Sequence, residues 1–179
     1  MDHEDHMDLL RPGLTALTGR WADFGSGQGA FTLALADLLH PQAEIYSIDK
    51  NRAKLEQQRR RLENRFSRSE VHFLVGDYTR ELDLPPLDGI VIANALHFQQ
   101  QKDQVLGLLY EYLHPGGTLI LVEYNADQGN RWVPHPLSYN SWERLAEKHG
   151  FRNTHLLGTK PSTFLGEIYA AASIKGEQK

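Results

Sequence analysis

The chain contains no cysteine among its 179 residues. Disulfide bonds, thiolate metal sites and catalysis by a cysteine nucleophile are therefore excluded. No apolar run approaches the ~18 residues that a transmembrane helix needs. The acidic start, MDHEDHMDLL, lacks the basic and apolar regions of a secretory signal. We therefore expect a cytoplasmic protein with no membrane partner.

The sequence also lacks a strong excess of one charge, since its formal net charge is −4. The basic footprint of a nucleic-acid binder is missing, so no nucleic-acid partner is expected. Residues 50–69 are rich in arginine, and we interpret them as the solvated face of a helix, with a patch for acidic partners as the alternative. His3 and His6 stand among acidic residues, which we interpret as a disordered start and not as a metal site.

The most informative stretch is residues 21–36, which read WADFGSGQGAFTLALA. An apolar entry is followed by three alternate glycines, Gly25, Gly27 and Gly29, and then by an apolar pattern with helical spacing. This order indicates a strand, a tight turn and the start of a helix. Glycines allow the backbone to approach a bound molecule closely because no Cβ intervenes. The turn and the first helical N–H groups would form a polar cradle.

The glycine spacing differs from that of the dinucleotide fingerprint, G-x-G-x-x-G, whose helix holds a pyrophosphate. Here the pattern is D-x-G-x-G-x-G, with Asp23 two residues before the first glycine. A carboxylate at that place would repel a diphosphate and attract a cationic ligand such as S-adenosylmethionine. The chain thus resembles the class I S-adenosylmethionine-dependent methyltransferases, whose first motif is (D/E)-x-G-x-G-x-G. A glycine-rich turn of another α/β protein is the alternative.

Acidic residues also end the next two predicted strands. AEIYSIDK ends at Asp49 and Lys50, and VHFLVGDYT ends at Gly76, Asp77 and Tyr78. An acid about twenty residues beyond the glycines can accept both hydroxyls of a ribose. The resemblance implies that the later acid accepts a hydrogen bond from the adenine amino group. Either acid alone could be a loop or helix-capping residue, but ligands of open α/β sheets lie at the carboxyl ends of strands.

The fourth predicted strand ends at Asn94, and residues 94–97 read Asn-Ala-Leu-His. The resemblance implies that this end faces the methionine part of the donor and its methyl group. The Pro-Gly-Gly turn at 115–117 matches a phrase, L-x-P-G-G-x-L, that recurs in the family before strand five.

The repeated βα order predicts an α/β fold with a parallel sheet. The resemblance implies a Rossmann-like doubly wound sheet of seven strands, in the order 3-2-1-4-5-7-6 with strand 7 antiparallel. We expect a single domain over residues 1–179, with flexible tails at 1–8 and 175–179. Ser138 or Asn140 is expected to cap the last helix and Gly150 to end it. The predicted strands are 20–24, 44–48, 71–75, 89–93, 118–124, 152–157 and 166–173, and the predicted helices are 7–10, 30–39, 52–66, 101–113 and 138–150.

The resemblance implies in-line methyl transfer from S-adenosylmethionine without a metal. Because the donor is already activated, the protein mainly aligns and desolvates the reactants. A general base is needed only where the acceptor holds its proton firmly. The residues expected to bind the co-substrate are Asp23, Phe24, Gly25, Ser26, Gly27, Gly29, Asp49, Lys50, Gly76, Asp77, Tyr78 and Asn94.

The candidate catalytic residues are His97, Tyr124 and His135, which are expected near the carboxyl ends of strands four and five or in the loop over them. A histidine can act as a base near neutral pH. The alternative for His97 is a polar residue that caps or fills a strand end, and for His135 it is a rigid lid residue between two prolines. Trp132 and Trp142 could wall an acceptor pocket, with core or lid packing as the alternative.

The residues after strand four also bear on the acceptor. Enzymes of this class that methylate amino groups of nucleic-acid bases carry Asn/Asp-Pro-Pro-aromatic there, and this chain does not. Small-molecule members often carry Asn-x-Leu-His, so a small-molecule acceptor is expected. The short region before strand one leaves open a large or protein-borne acceptor, or a lid from a partner subunit such as a second copy in a homodimer.

Three other functions are alternatives to methyl transfer. The first is a non-catalytic module or partner subunit that binds S-adenosylmethionine or S-adenosylhomocysteine. The second is a nicotinamide-dependent dehydrogenase, which would need the G-x-G-x-x-G turn. The third is an aminopropyl transferase, which would need an acidic polyamine motif after strand four.

Overall fold

The computed structural model describes residues 1–63 and 70–176. The helices in this part of the chain are α1 (His3–Leu10), α2 (Ala30–Leu38), α3 (Arg52–Glu63), α4 (Asp103–Tyr112) and α5 (Tyr139–Lys148). The strands are β1 (Arg20–Phe24), β2 (Glu44–Asp49), β3 (Glu70–Val75), β4 (Leu87–Ala93), β5 (Leu113–Tyr124), β6 (Phe151–Ser162) and β7 (Gly166–Lys175). None of these helices is long and apolar enough to cross a bilayer.

The seven strands form one sheet in the order β3-β2-β1-β4-β5-β7-β6. The first five strands of the chain pair in parallel, whereas β7 is antiparallel to both of its neighbours. The predicted fold class, strand order and direction of strand seven are therefore confirmed. The order changes direction between β1 and β4, so the carboxyl ends of these strands flank the crevice where open α/β sheets bind ligands.

Buried side chains cover both faces of the sheet. In β1 the alternation places Trp21 in the cluster that also contains residues of α1 and α2, and Phe24 in the cluster beside α4 and α5. Gly89 of β4 lies opposite Trp21 in the pairing of the two strands. A Cβ at Gly89 would lie 2.3 Å from atoms of the indole ring, so the glycine makes room for the largest side chain on that face.

The first helix begins earlier than the sequence predicts. Residues 3–8, expected as part of a flexible tail, belong to α1. A capping box between Asp2 and Asp5 caps the amino end of this helix. Two leucines at its end, Leu9 and Leu10, are fully buried. The helix is therefore held by an apolar anchor that its acidic start does not reveal.

The predicted carboxyl-terminal tail, 175–179, begins with a residue that the structure places in β7. Lys175 is buried at the end of β7, and its Nζ donates to the carbonyls of Tyr110, at 2.7 Å, and Leu113, at 2.9 Å. It also lies over the Tyr110 ring, 4.5 Å from the centroid. These contacts extend the strand beyond residue 173, whereas residues 177–179 lie outside the described part.

Other bounds differ by smaller amounts. The strand β5 begins at Leu113, which pairs with Leu87, and the ladder then shifts register before Gly89 pairs with Thr118. The Pro-Gly-Gly turn is thus part of an irregular strand, and Gly116 has a φ of +80°. The strand β6 extends to Ser162 because it pairs with β7 over that length. The last residues of the predicted third helix, 64–66, lie outside the described residues.

Candidate functional site

A cavity of about 680 Å³ opens at the carboxyl ends of the parallel strands. This volume lies within the range of ~300–1,000 Å³ that is usual for pockets that bind small molecules. Nine of the twelve residues predicted to bind the co-substrate line the cavity, namely Gly25, Ser26, Gly27, Asp49, Lys50, Gly76, Asp77, Tyr78 and Asn94. The sheet therefore brings together residues from the ends of four strands.

The glycine turn forms one wall of the cavity. The N–H groups of Gly25 and Ser26 both donate to the carbonyl of Ile48, at 2.8 Å and 3.0 Å, which ties the turn to β2. Gly25 has a φ of +74°. A Cβ there would lie 2.8 Å from the Ala95 side chain and 3.3 Å from the Tyr78 ring. Both the conformation and the space require a glycine at this position.

Asp49 links the end of β2 to the turn. Its Oδ2 accepts from the N–H of Gly27 at 2.8 Å, and its Oδ1 accepts from the N–H of Asn51 at 2.7 Å. A carboxylate has about four acceptor sites, so these two bonds leave capacity for a ligand. The residue is 9 % exposed and lines the cavity.

Asp77 lies at the end of β3. The Oδ1 atom accepts from the hydroxyl of Thr79 at 2.7 Å and from its N–H at 3.0 Å. These bonds, the hydroxyl first, lower the pKa of the Asp77 carboxyl below its usual value. The group is therefore an ionised acceptor at neutral pH.

Tyr78 connects β3 to the segment after β4. Its hydroxyl donates to the carbonyl of Ala95 at 2.7 Å and accepts from the Gln99 amide at 3.2 Å. Burial raises the pKa of this phenol, so it remains neutral. The ring closes the cavity against Gly25.

Asn94 has two unusual properties. It has a φ of +49°, in the left-handed region that few non-glycine residues adopt. Its Oδ1 is buried and has no hydrogen-bond partner within the described residues. An unsatisfied buried acceptor costs about 1–3 kcal/mol, and such sites cluster where ligands bind. The cavity beside it offers the space for a donor group.

Three residues predicted to bind the co-substrate lie behind the cavity wall. Phe24 is buried in the core, and Gly29 has a φ of +82° and packs against Gln58. Asp23 is 1 % exposed and accepts from the Thr32 hydroxyl at 2.6 Å. Burial raises the pKa of Asp23 to about 7. Its negative charge is thus only partly present at neutral pH, so the attraction for a cation that the sequence predicts is reduced.

A buried polar network supports the glycine turn from behind. The amide nitrogen of Gln58 donates to the Ser26 hydroxyl at 2.9 Å and to the Gly27 carbonyl at 2.7 Å. Its oxygen accepts from the Ser47 hydroxyl at 2.8 Å, and Ser47 lies 3.2 Å from the Thr32 hydroxyl. Strand β2, helix α2 and helix α3 therefore all hold the turn.

Gln58 is not among the site residues predicted from the sequence, although the sequence contains a signal for it. Leu55, Gln58 and Leu62 are spaced three and four residues apart, so they share one face of α3. All three are buried, whereas the residues between them are exposed. A lone amide on the apolar stripe of a charged helix indicates a buried hydrogen-bonding role.

The three candidate catalytic residues do not line the cavity. The His97 side chain is 4 % exposed, and its Nδ1 lies 3.0 Å from Oε1 of Glu123, a fully buried residue of β5. The backbone N–H groups of His97 and Tyr124 also donate to this carboxylate, at 3.0 Å and 2.8 Å. The Tyr124 ring packs on the His97 ring with centroids 5.5 Å apart. Their catalytic role stays a prediction.

His135 contacts the segment after β4 through hydrogen bonds of its backbone. Its N–H donates to the carbonyl of His97 at 3.0 Å, and its carbonyl accepts from Nζ of Lys102 at 2.9 Å. Lys102 also donates to the carbonyl of Gln99 at 2.8 Å. Burial lowers the pKa of this lysine. These bonds dock the loop before α5 onto the segment after β4.

Glu123 and Lys102 were not singled out from the sequence. An acid within the apolar run LILVEY is a sign of a buried, paired carboxylate, whereas nothing local marks the lysine.

The two tryptophans predicted as possible walls of an acceptor pocket lie in different environments. Trp142 is fully buried in the core, and Trp132 is 68 % exposed. Neither lines the cavity.

The amino-terminal histidines have different environments. His3 Nε2 lies 2.8 Å from Oδ2 of Asp37, and His6 lines the cavity with its ring against Phe31. Within residues 1–63 and 70–176, no three histidine, aspartate or glutamate side chains converge as metal ligands would. The position of His6 depends on how α1 packs, so no pattern in the sequence indicates it.

Comparison with known proteins gives a family. A family model described as a methyltransferase domain matches residues 19–157. Arsenite methyltransferase of Aquipseudomonas alcaligenes is 27 % identical over 158 residues, covering 78 % of this chain and 46 % of the relative. Carboxy-S-adenosyl-L-methionine synthase of Klebsiella pneumoniae is 29 % identical over 104 residues, covering 56 % of this chain and 42 % of that protein. The chain thus spans less than half the length of each of these relatives.

A solved structure has the same fold. The N-methyltransferase NodS of Bradyrhizobium japonicum, in complex with S-adenosyl-L-homocysteine, superposes with a TM-score of 0.79. The alignment covers 97 % of this chain and 87 % of NodS at 19 % identity. Agreement at this identity supports the fold of the sheet and its helices.

Proposed function

The chain belongs to the methyltransferase-domain family as a class I S-adenosylmethionine-dependent member, and we propose that its cavity binds S-adenosylmethionine and that it transfers the methyl group to a small-molecule acceptor. The observation that carries this proposal is the convergence of the glycine turn, Asp49, Asp77 and Asn94 on one cavity.

The residues of the cavity fit the chemical groups of the donor. The carboxylate of Asp49 keeps acceptor sites for ribose hydroxyls, and ionised Asp77 suits an amino group of adenine. The unpaired Oδ1 of Asn94 suits a donor such as the ammonium of the methionine part. Gly25 and Gly27 allow close approach of the backbone.

A small acceptor is supported by the size and lining of the cavity. The cavity wall also contains apolar groups, including Phe31, Ala95 and Phe98. Such a surface excludes water from the reacting atoms and aligns an organic molecule. The name of one relative, an arsenite methyltransferase, also supports a small acceptor. When bound, S-adenosylmethionine supplies an activated methyl group. The residues of the cavity wall orient this donor and the acceptor relative to each other.

The test is transfer of labelled methyl from S-adenosylmethionine to fractions of a cell extract. We expect label in the fraction that passes a small-pore filter and none with heat-denatured chain. The variant Asp77→Asn should reduce transfer at limiting donor, whereas Asp83→Asn, which changes an exposed aspartate outside the cavity, should not.

Two results would contradict the proposal. Label confined to macromolecules would contradict the small acceptor. Absence of any transfer, with one-to-one binding of S-adenosylhomocysteine, would favour a module that binds the donor or its product without catalysis.

A further inference from the structure

The amino-terminal helix delivers a histidine to the donor cavity. The imidazole of His6 is part of the cavity wall, together with Phe31 of α2. The two rings meet edge to face with their centroids 4.8 Å apart. Within the described residues, neither ring nitrogen of His6 has a hydrogen-bond partner. The imidazole is therefore available to a bound molecule.

The helix that carries His6 is fixed in place. Leu9 and Leu10 are buried in the same cluster as Phe31. Lys160 of β6 pairs with Asp5 at 2.7 Å and with Asp8 at 3.1 Å. A residue on such a helix keeps its position through a reaction cycle better than one on a loop.

The protonation state of His6 follows from its surroundings. Burial lowers the pKa of the imidazole, and the chain's amino group and His3 lower it further, against smaller opposing effects of Asp5 and Asp2. The imidazole is therefore neutral, with a free lone pair, at neutral pH. Other charged or titratable groups on the surrounding elements include Asp37 of α2, Lys160 of β6 and, around the cavity, Asp49, Lys50, Lys54, Asp77 and Tyr78.

His97 is less suited to proton transfer in this cavity. Its side chain lies outside the cavity wall, where the buried carboxylate of Glu123 holds its Nδ1. Tyr78, which does line the cavity, uses its hydroxyl proton in the bond to Ala95. His6 is the only histidine among the described residues that line the cavity.

We propose that His6 is the general base that accepts the proton of the methyl acceptor, and that the acceptor is a neutral molecule with a hydroxyl or N–H group. The inference rests on the proposed function. As the acceptor atom attacks, its bond to the methyl carbon forms and the bond between that carbon and sulfur breaks. The electron pair of the broken bond stays on sulfur, and the acceptor's proton moves to the imidazole, which later releases it to water. An already ionised acceptor, or a tertiary amine, would not need this group.

The position of His6 can be tested without knowing the acceptor. S-adenosylmethionine and S-adenosylhomocysteine differ by the methyl group and by one positive charge on sulfur. With 13C-labelled histidine, the imidazole of His6 can be titrated by NMR in each complex and assigned with His6→Gln. A cation within a few ångströms disfavours imidazolium, so the pKa of His6 should be at least ~0.5 lower with S-adenosylmethionine.

The exposed His155 on β6 is the control, and its resonances should be the same in both complexes. Equal values of the His6 pKa in two complexes that both form would overturn the inference and leave the proposed function intact. Failure of both molecules to bind would instead overturn the proposed function.

The role of His6 as a base is tested by the labelled-methyl assay, with the extract fraction that accepts label. His6→Gln should lower the rate by ~10²–10⁴-fold and remove the fall in rate at acidic pH, with the affinity for S-adenosylhomocysteine unchanged. His3→Gln, one turn away on α1, is the matched control for the helix. A loss of less than tenfold relative to His3→Gln, or an unchanged pH profile, would overturn the proposal.

Discussion

At the scale of single residues, Gln58 holds the glycine turn by two donated hydrogen bonds. Replacing it by leucine would keep the volume but leave the Ser26 and Ser47 hydroxyls and the Gly27 carbonyl without this partner. Buried groups without partners cost about 1–3 kcal/mol. We therefore expect Gln58→Leu to lower the free energy of unfolding by about that amount and to weaken binding of S-adenosylhomocysteine, as measured by urea unfolding and calorimetry.

Gln57→Leu is the matched control, because Gln57 is the exposed neighbour on the same helix. Exposed substitutions usually change stability by less than ~0.5 kcal/mol. Equal stability of the two variants would contradict the supporting role of the network.

Asp23 should make stability depend on pH in an unusual direction. Burial raises the pKa of its carboxyl from 3.8 to about 7. Below pH ~4 the group is protonated in both the folded and the unfolded chain. As the pH rises towards 7, the unfolded chain releases the proton and the folded chain keeps it. The free energy of unfolding therefore falls by up to ~1.4 kcal/mol per pH unit.

Asp23→Asn removes this titration. The unfolding free energy of the variant minus that of the wild type should therefore rise by about 2–3 kcal/mol between pH 5 and pH 7 and then level off. Urea unfolding at four pH values measures it, with Asp83→Asn as the exposed control. A difference that stays constant with pH would show that the Asp23 carboxyl is ionised throughout.

At the scale of elements, the helix α1 shows what local sequence cannot reveal. Its acidic residues indicate a solvated tail, yet Leu9 and Leu10 are buried against the rest of the fold. A helix of eight residues is marginal in isolation. The structure of α1 is therefore decided by packing on α2 and β6, two elements that lie later in the chain.

Burial should stabilise α1 more than its ion pairs do. Leu10→Ala should cost about 2–5 kcal/mol of unfolding free energy, as for other large-to-small changes in a core. Lys160→Met removes the pairs with Asp5 and Asp8, which are partly exposed and therefore screened by water. The loss of unfolding free energy should be much smaller for this variant. Thermal unfolding of both variants measures the contrast, and a larger loss for Lys160→Met would contradict it.

Elements with strong local signals were predicted well. The glycine turn fixed the end of β1 and the start of α2, and Ser138 caps α5 with its hydroxyl accepting from the Ser141 N–H. The sequence predicts too late a start for β5, because the Pro-Gly-Gly turn indicates a break whereas pairing of Leu113 with Leu87 extends the strand. Tertiary pairing can thus extend a strand past residues that locally favour a turn.

At the scale of the whole molecule, the sheet order assembles the cavity. Asp49, Asp77 and Asn94 are far apart in sequence, and parallel strands bring their ends to one edge. The sequence predicted these residues because each follows a strand, and ligands bind at that edge. It could not predict that Asp23 lies behind the wall, since Thr32 of α2 and Ser47, its partner in β2, come to lie beside it only after folding.

The most direct test of the central claim is a calorimetric titration of the folded chain with S-adenosylhomocysteine. We predict saturable one-to-one binding, weakened at least ~tenfold in Asp49→Ala, which removes the carboxylate between β2 and the glycine turn. Absence of heat in a chain that circular dichroism shows to be folded would contradict the assignment of this cavity to the methyl donor.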